Sequence, residues 1–433
     1  MDHFKTKLSN LLTLSNPSLW FDGLIILYLY WVAFEWTIVS RIPSYTLIQY
    51  VRNAMDIIPL VLLVISMVIL NPKFRDSELK ILLGFLTIVI VSVFSLLLES
   101  RNPSTVAEYI GVTVRFVPLI VLIRFTTPDF KETLFGHIKI VYWILAGLAL
   151  LNLLGKEWFN GIFLPPSGVF GEVLPTTYTD PGISATFINT VEFSFFLVAL
   201  TVFYLYNETN PRTRLLVSLI SLVLTVLSFS IASVLGLLLV FYLRSTRKLL
   251  MALLMVGLLV MGIWFFNDFF LLLLGMDLKY WIEISSEFNR LGYITKVFPE
   301  FLHGGLKDLI FGMGYDAHLV DLKLGNYHNT PWVMINNENN LKYLKDVYWL
   351  SILIAQGLIS LLVTGYIFVT LWFSAKRERS EKNFRLVKTF ILLALFLGLF
   401  NQVMDLKAFT YCFWLMAGIA LLKPQVQTEI AFA

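Results

Sequence analysis

Five polar residues in an otherwise apolar chain are of types that could carry chemistry. Asp346 stands at the start of a long apolar run. A carboxylate there can take a proton from a hydroxyl nucleophile, or it can simply open a helix, since Asp favours the first turn. His328, followed by Asn329 in a polar stretch, is a second candidate base or phosphate donor, set against an ordinary solvated histidine. Arg290 is the only arginine in either of the two long polar segments. Its planar fork suits bidentate contact with phosphate, where an ordinary loop arginine is the plainer reading. Lys296, a little further along, offers a second cation or a solvated lysine. Arg115, in Val114-Arg115-Phe116, falls inside an apolar run. A charge at such depth is costly and faces a bundle interior or a wet cavity. It serves either an anionic substrate group or a structural ion pair, with Glu192 or Glu99 as the expected partner. A base together with fixed positive charge is what a transfer reaction with an anionic leaving group requires.

The elements that must position these groups follow from composition. The chain has 433 residues, of which 58% are hydrophobic and 14% charged. A soluble domain carries roughly 45–50% apolar and about 25% charged residues. The expectation is therefore an all-α polytopic membrane protein. Runs long enough to span begin near Leu19, Ile48, Ile81, Tyr109, Ile138, Phe187, Leu215, Ile231, Leu249, Tyr348, Leu386 and Phe409, which predicts about twelve transmembrane helices. The first is read as a retained helix, because it is too long for a signal-peptide core and no small-x-small cleavage site follows it. Twenty Lys and Arg residues then fall on one side and five on the other, the large late loop aside. The positive-inside rule places both ends in the cytoplasm.

Residues 1–433 read as a single transmembrane domain with two long outer segments. Residues 156–186 are rich in Gly, Pro and Thr. Residues 267–345 form a large stretch with helix-like patterning and a Gly-rich turn at Phe311-Gly312-Met313-Gly314. The net charge of +4 is spread between apolar spans, so nucleic acid is not an expected partner. The lone Cys412 rules out a disulfide within the chain and makes a cysteine metal site a poor prospect. There is no P-loop, His-Glu-x-x-His, Gly-x-Ser-x-Gly or dinucleotide fingerprint.

Four short segments carry a resemblance. Arg290-Leu-Gly-Tyr-Ile, Phe311-Gly-Met-Gly-Tyr315, Asp346-Val-Tyr-Trp-Leu350 and Gln356-Gly-Leu358 together resemble the bacterial O-antigen polymerase and O-antigen ligase superfamily. Gly171 to Asn189 resembles the loop before that family's middle helices. Ser228-Phe229-Ser230 stands where the family often has Ser-Arg.

The resemblance implies a fold like the C-type membrane glycosyltransferases, with the two long segments periplasmic and the active site facing the periplasm of the bacterial inner membrane. It implies a membrane glycosyltransferase that joins oligosaccharide repeat units carried on undecaprenyl pyrophosphate. Its partners would be those lipid-linked glycans and membrane lipids, with room for a chain-length regulator. It implies no cofactor and no metal, arginines meeting the pyrophosphate charge. Asp346 or His328 would be the base, and Arg290, Arg115 and Lys296 the cations. A carboxylate beside cations has its pKa lowered, so Asp346 could instead orient the acceptor. The alternatives are a ligase that transfers glycan to lipid A core and, from another class, a lipid-linked oligosaccharide flippase or transporter.

Overall fold

A computed structural model describes residues 17–70, 73–99, 110–170, 176–179, 182–248, 257, 298–303, 305–313, 347–377, 381–401 and 403–422. Among these residues the fold is all-helical, with no strand. Long apolar segments form helices because hydrocarbon offers the backbone no partner other than itself. The elements used below are α1 (Pro17–Ile38), α2 (Tyr45–Leu70), α3 (Asp76–Glu99), α4 (Phe130–Leu154), α5 (Lys156–Phe163), α6 (Thr190–Asn207), α7 (Pro211–Leu227), α8 (Ile231–Arg244), α9 (Leu306–Phe311), α10 (Tyr348–Arg377), α11 (Glu381–Leu397) and α12 (Lys407–Leu421). Six of them, α1, α2, α3, α4, α6 and α10, are long and apolar enough to cross a membrane. The chain is thus a helical protein with the spans of an integral membrane protein.

The bundle is built around α6 and α12. Both are apolar on every face, the pattern of a helix buried all round. The whole of α12 is buried, as is nearly all of α6. Helices α4, α7, α8, α11 and α12 pack against α6, while α1, α10 and α11 pack against α12. By contrast, α2 and α3 turn large apolar side chains such as Leu60, Val64, Leu86 and Phe94 outward. That is the surface a bilayer would cover. Gly84 lets α3 approach α10 closely: a Cβ there would meet Ile367 Cγ1 at 2.9 Å.

The run expected to span from Tyr109 is not one continuous helix. It breaks at residues 115–118, followed by a single turn, Leu119–Leu122, and a 3-10 turn, Ile123–Phe125. Pro118 has no N–H to donate to the Val114 carbonyl and its ring crowds that carbonyl. Val117 N donates to Val114 O instead, at 3.1 Å, tightening the chain into 3-10-type turns.

The expected Ser-rich turn between the runs at Leu215 and Ile231 is present. It holds Phe229 at φ 55°, and Gly182 packs against Ser228 O. The segment over residues 156–186 is folded where it is described. Asn152, Asn160, Thr177 and Ser184 form a buried hydrogen-bonded set, and Lys156 Nζ donates to Gly182 O at 3.0 Å. Tyr178 O–H donates to Pro165 O, and burial pushes its hydroxyl up to about 12, so it remains a neutral donor. The run expected from Leu249 lies outside the described residues.

One end of the bundle carries Ile38, Tyr45, Thr190 and Lys407 and is called upper here. The other carries Leu70, Asp76, Asn207 and Leu421 and is called lower.

Candidate functional site

Charged side chains from four separate elements meet inside the upper end. Lys407 Nζ sits between Glu35 Oε2 and Asp56 Oδ1, at 2.6 Å from each. Arg52 Nη2 donates to Glu35 Oε1 at 2.8 Å, and Arg52 Nε donates to the same oxygen at 3.2 Å. Arg115 Nη1 donates to Asp56 Oδ2 at 3.2 Å, and Nη2 donates to Asp405 O at 2.6 Å. The result is a chain of alternating charge: Arg52, Glu35, Lys407, Asp56, Arg115. Glu35 and Lys407 are each 2% exposed.

Local sequence explains each placement. In α2, Pro59 cannot donate to the carbonyl four residues back, which is Met55 O. Tyr28 O–H from α1 donates to that freed carbonyl, bringing α1 against the turn that bears Asp56. The break before Pro118 turns Arg115 toward Asp56 and the Asp405 carbonyl. Lys407 opens α12, where a cation opposes the helix dipole. Two carboxylates offset that cost. Trp36 lies under Arg52, with its ring centroid 4.1 Å from the guanidinium carbon, and Trp31 lies 5.5 Å from Lys407 Nζ.

Two features keep the cluster from being a closed set of pairs. Glu192, at the start of α6, is 9% exposed and makes no hydrogen bond or ion pair among the described residues. It lies within electrostatic range of Glu35, Arg52, Arg115 and Lys407. The buried donors Arg115 Nε, Trp31 Nε1 and Trp36 Nε1 have no hydrogen-bond partner.

Of the predicted site residues, Arg115 alone lies among those described. Its carboxylate partner is Asp56. That corrects the expected pairing with Glu192 or Glu99: Glu192 interacts only at a distance, and the Glu99 side chain is outside the described set. Both terminal nitrogens of Arg115 are committed to the protein, which favours the structural ion pair over direct contact with a substrate anion. Asp346, His328, Arg290 and Lys296 lie outside the described residues.

Sequence reasoning missed Glu35, Asp56, Arg52 and Lys407 as site residues. The signal was present, since Glu35 and Asp56 interrupt apolar runs, where charges are functional candidates. Arg52 and Lys407 read as loop cations because they fall at the edges of their runs.

A second construction joins two of the motif segments. Gly357 has φ +78° inside α10 and breaks its helical geometry. Gly312, after α9, has φ +77°. A Cβ on Gly357 would strike Ile310 O and Gly312 N, and a Cβ on Gly312 would strike the Ala355 carbonyl and Gln356 N. Met313 N donates at 2.6 Å to Ile354 O, a carbonyl whose helical partner would lie beyond the break. The turn after α9 therefore plugs the kink of α10, backbone against backbone, where only glycine fits. Phe301, Met313 and Ile354 form a small core beneath this contact. Val347, the residue after Asp346 in sequence, is buried, and Tyr348 N donates to Gly398 O at 2.9 Å. The start of α10 is thus fixed at the upper end.

No protein-family model matches the chain, and no characterised protein matches it at a significant level.

Proposed function

We propose that the chain is a polysaccharide repeat-unit polymerase of the bacterial inner membrane, of the O-antigen polymerase and ligase kind. In this reading it has about twelve spans, both ends cytoplasmic, and its upper end facing the periplasm. The observation that carries the reading is the packing of the Phe311–Met313 turn into the kink at Gly357. Two segments named by the resemblance, far apart in sequence, form one unit at the end of the bundle where Asp346 leads into α10.

The reaction joins two lipid-linked glycans. A hydroxyl of the acceptor sugar attacks the anomeric carbon of the donor. A new C–O bond forms, the bond to pyrophosphate breaks, and undecaprenyl pyrophosphate departs with the electron pair. Asp346, or His328, takes the hydroxyl proton. Arg290 and Lys296 provide fixed positive charge for the leaving group. Arg115, held by Asp56 and Asp405 O, acts as a positioning residue that fixes the upper ends of α2 and α12.

The reading is tested by complementation in a strain lacking the gene, with surface polysaccharide length read on a gel. Deletion should leave single repeat units on lipid A core. Arg290→Ala and Asp346→Asn should do the same while still expressing, and His328→Ala should act more weakly. Bare core with long chains on undecaprenyl pyrophosphate would make the protein a ligase. Normal chains in all three variants would sink the site assignment.

A second reading, a lipid-linked oligosaccharide flippase, is favoured by one observation, the charged chain buried within apolar helices. It predicts that in the deletion strain the repeat units remain on undecaprenyl pyrophosphate at the cytoplasmic face.

A further inference from the structure

The cations at the lower end fall into two groups. One group is matched with carboxylates: Arg75 and Arg124 with Glu78, Lys80 with Asp76, and Lys139 with Glu208. The other stands where α7 begins, α8 ends and α11 begins. Arg212 and Arg214 open α7, Arg244 closes α8 and Lys248 follows it, and Arg385 and Lys388 lie near the start of α11. Of this second group, Arg385 alone has a carboxylate partner among the described residues, the exposed Glu381.

The three helix ends are neighbours, because α8 packs against both α7 and α11. The electrostatic neighbours of Arg244 are Arg214 and Tyr206, and those of Lys248 are Lys388 and Arg385. Like charges gathered in this way repel one another, and an anion set between them removes the repulsion. The two arginines of α7 gain nothing from their helix, since a cation at its start opposes the dipole. Lys248 Nζ donates to Tyr242 O and Leu243 O at the end of α8 and keeps a third N–H. Aromatic rings hold two others in place. The Arg244 guanidinium carbon lies 5.3 Å from the centroid of Tyr206, and Lys388 Nζ lies 5.4 Å from that of Trp372. Tyr206 in turn shares a 2.7 Å hydrogen bond with Thr389 of α11.

The surroundings say which anion fits. Leu215 and Leu216 directly follow Arg214, and Phe373 directly follows Trp372; all three are exposed. Cations and Tyr and Trp rings beside an exposed apolar surface mark the level where hydrocarbon gives way to headgroups. A ligand that meets both sides of that boundary carries acyl chains as well as negative charge.

We propose that the lower ends of α7, α8 and α11 bind the phosphate headgroup of an anionic phospholipid, with Arg214, Arg244, Lys248 and Lys388 supplying the positive charge and the acyl chains lying along the exposed face of α7. The inference rests on the membrane-spanning fold and stands or falls apart from the polymerase chemistry.

The test uses the full-length protein in detergent, with lipid binding read by native mass spectrometry. The probes are dioleoyl phosphatidylglycerol and dioleoyl phosphatidylcholine, which has the same chains and no net charge. Wild type should bind phosphatidylglycerol at least about tenfold more tightly. Arg214→Gln combined with Arg244→Gln should remove most of that preference. Lys73→Gln combined with Lys80→Gln takes away as much charge from the start of α3, at the same end, and should leave the preference intact. Should the first pair fail to fold, Lys248→Gln combined with Lys388→Gln must remove the preference on its own.

Equal affinity of wild type for the two lipids, or a preference that the folded patch variants keep, overturns the proposal. So does an equal loss in the Lys73 and Lys80 variant, which would make net charge alone responsible. Displacement of bound phosphatidylglycerol by inorganic phosphate at matched ionic strength overturns it too, since the ligand would then be a free anion. A deletion strain with normal polysaccharide sinks the polymerase reading and leaves the lipid site standing.

Discussion

The two ends of the bundle use the same side-chain chemistry differently. At the lower end, Glu78 Oε2 accepts from Arg124 Nη1 and from the backbone N–H of Arg75, both at 2.9 Å. Arg75 also reaches Leu421 O, and Asp22 takes the hydroxyl and backbone N–H of Thr127. The two arginine side chains are about a quarter exposed. Each contact ties a connection to a neighbouring helix, and solvent reaches the arginine side of these pairs while Glu78 itself is fully buried. At the upper end the pairs lie in series, Lys407 is shared by two carboxylates, and water reaches little of them. Clustered charge at a helix end therefore does not by itself mean function or stability. What separates the ends is where the cation sits: Glu78 is fully buried, but both of its arginines reach solvent, whereas Lys407 is buried together with Glu35.

The largest effect should come from Lys407→Met. Removing one partner of a buried pair leaves uncompensated charge, at a cost of about 3–5 kcal/mol. Here two carboxylates, Glu35 and Asp56, would be short of a partner at once. The purified variant should melt far below wild type or fail to accumulate. Adding Asp56→Asn should recover part of the loss, because one stranded charge is then gone. A single variant that melts like wild type would mean that the upper chain is as well solvated as the lower, and the contrast between the ends would collapse.

Arg124→Ala should cost less, about 1–2 kcal/mol, since Glu78, although fully buried, keeps its Arg75 contacts. The same melting experiment ranks it against Lys407→Met. Raising salt should shrink the Arg124→Ala deficit more than the Lys407→Met deficit, because the Arg124 side chain reaches solvent and Lys407 does not. An equal loss in both variants would break the comparison.

Some of this was legible in the sequence. The apolar runs announce helices, and the all-round apolar character of α6 announces its central place. The turn at Ser228–Ser230 could be read directly. The motif glycines could be recognised too, but not their contact, since more than forty residues separate Gly312 from Gly357 and no local rule pairs them. Prolines mark the limit most clearly. Pro59 stays inside α2, where Tyr28 satisfies the carbonyl it frees. Pro118 sits at a complete break. Residue identity is the same in both, and the tertiary partner decides the outcome. Likewise Arg52 and Lys407 look like loop cations because hydropathy cannot tell a cation reaching for water from one reaching inward for a carboxylate.

The smallest effect tests a more exposed pair of the same comparison. At the lower end Lys139 Nζ pairs with Glu208 Oε2 at 2.7 Å, the lysine 36% exposed. The hydrogen bond from Lys139, and then the backbone N–H groups of Asn210 and Thr209, hold the Glu208 carboxyl below its usual range. A carboxyl whose folded pKa is depressed stabilises the fold fully above its ordinary, unfolded pKa. That stabilisation is lost as pH falls through the lowered folded value. Screening by solvent limits it to about 0.5 kcal/mol. Wild type should therefore melt slightly above Glu208→Gln at neutral pH, and the gap should close in acid. The Lys139 charge persists in acid, so closure reports the carboxylate alone. A gap that stays constant from neutral to acid pH would mean that Glu208 contributes by packing and not by charge, and the lower end would lose this partly exposed pair as a point of comparison.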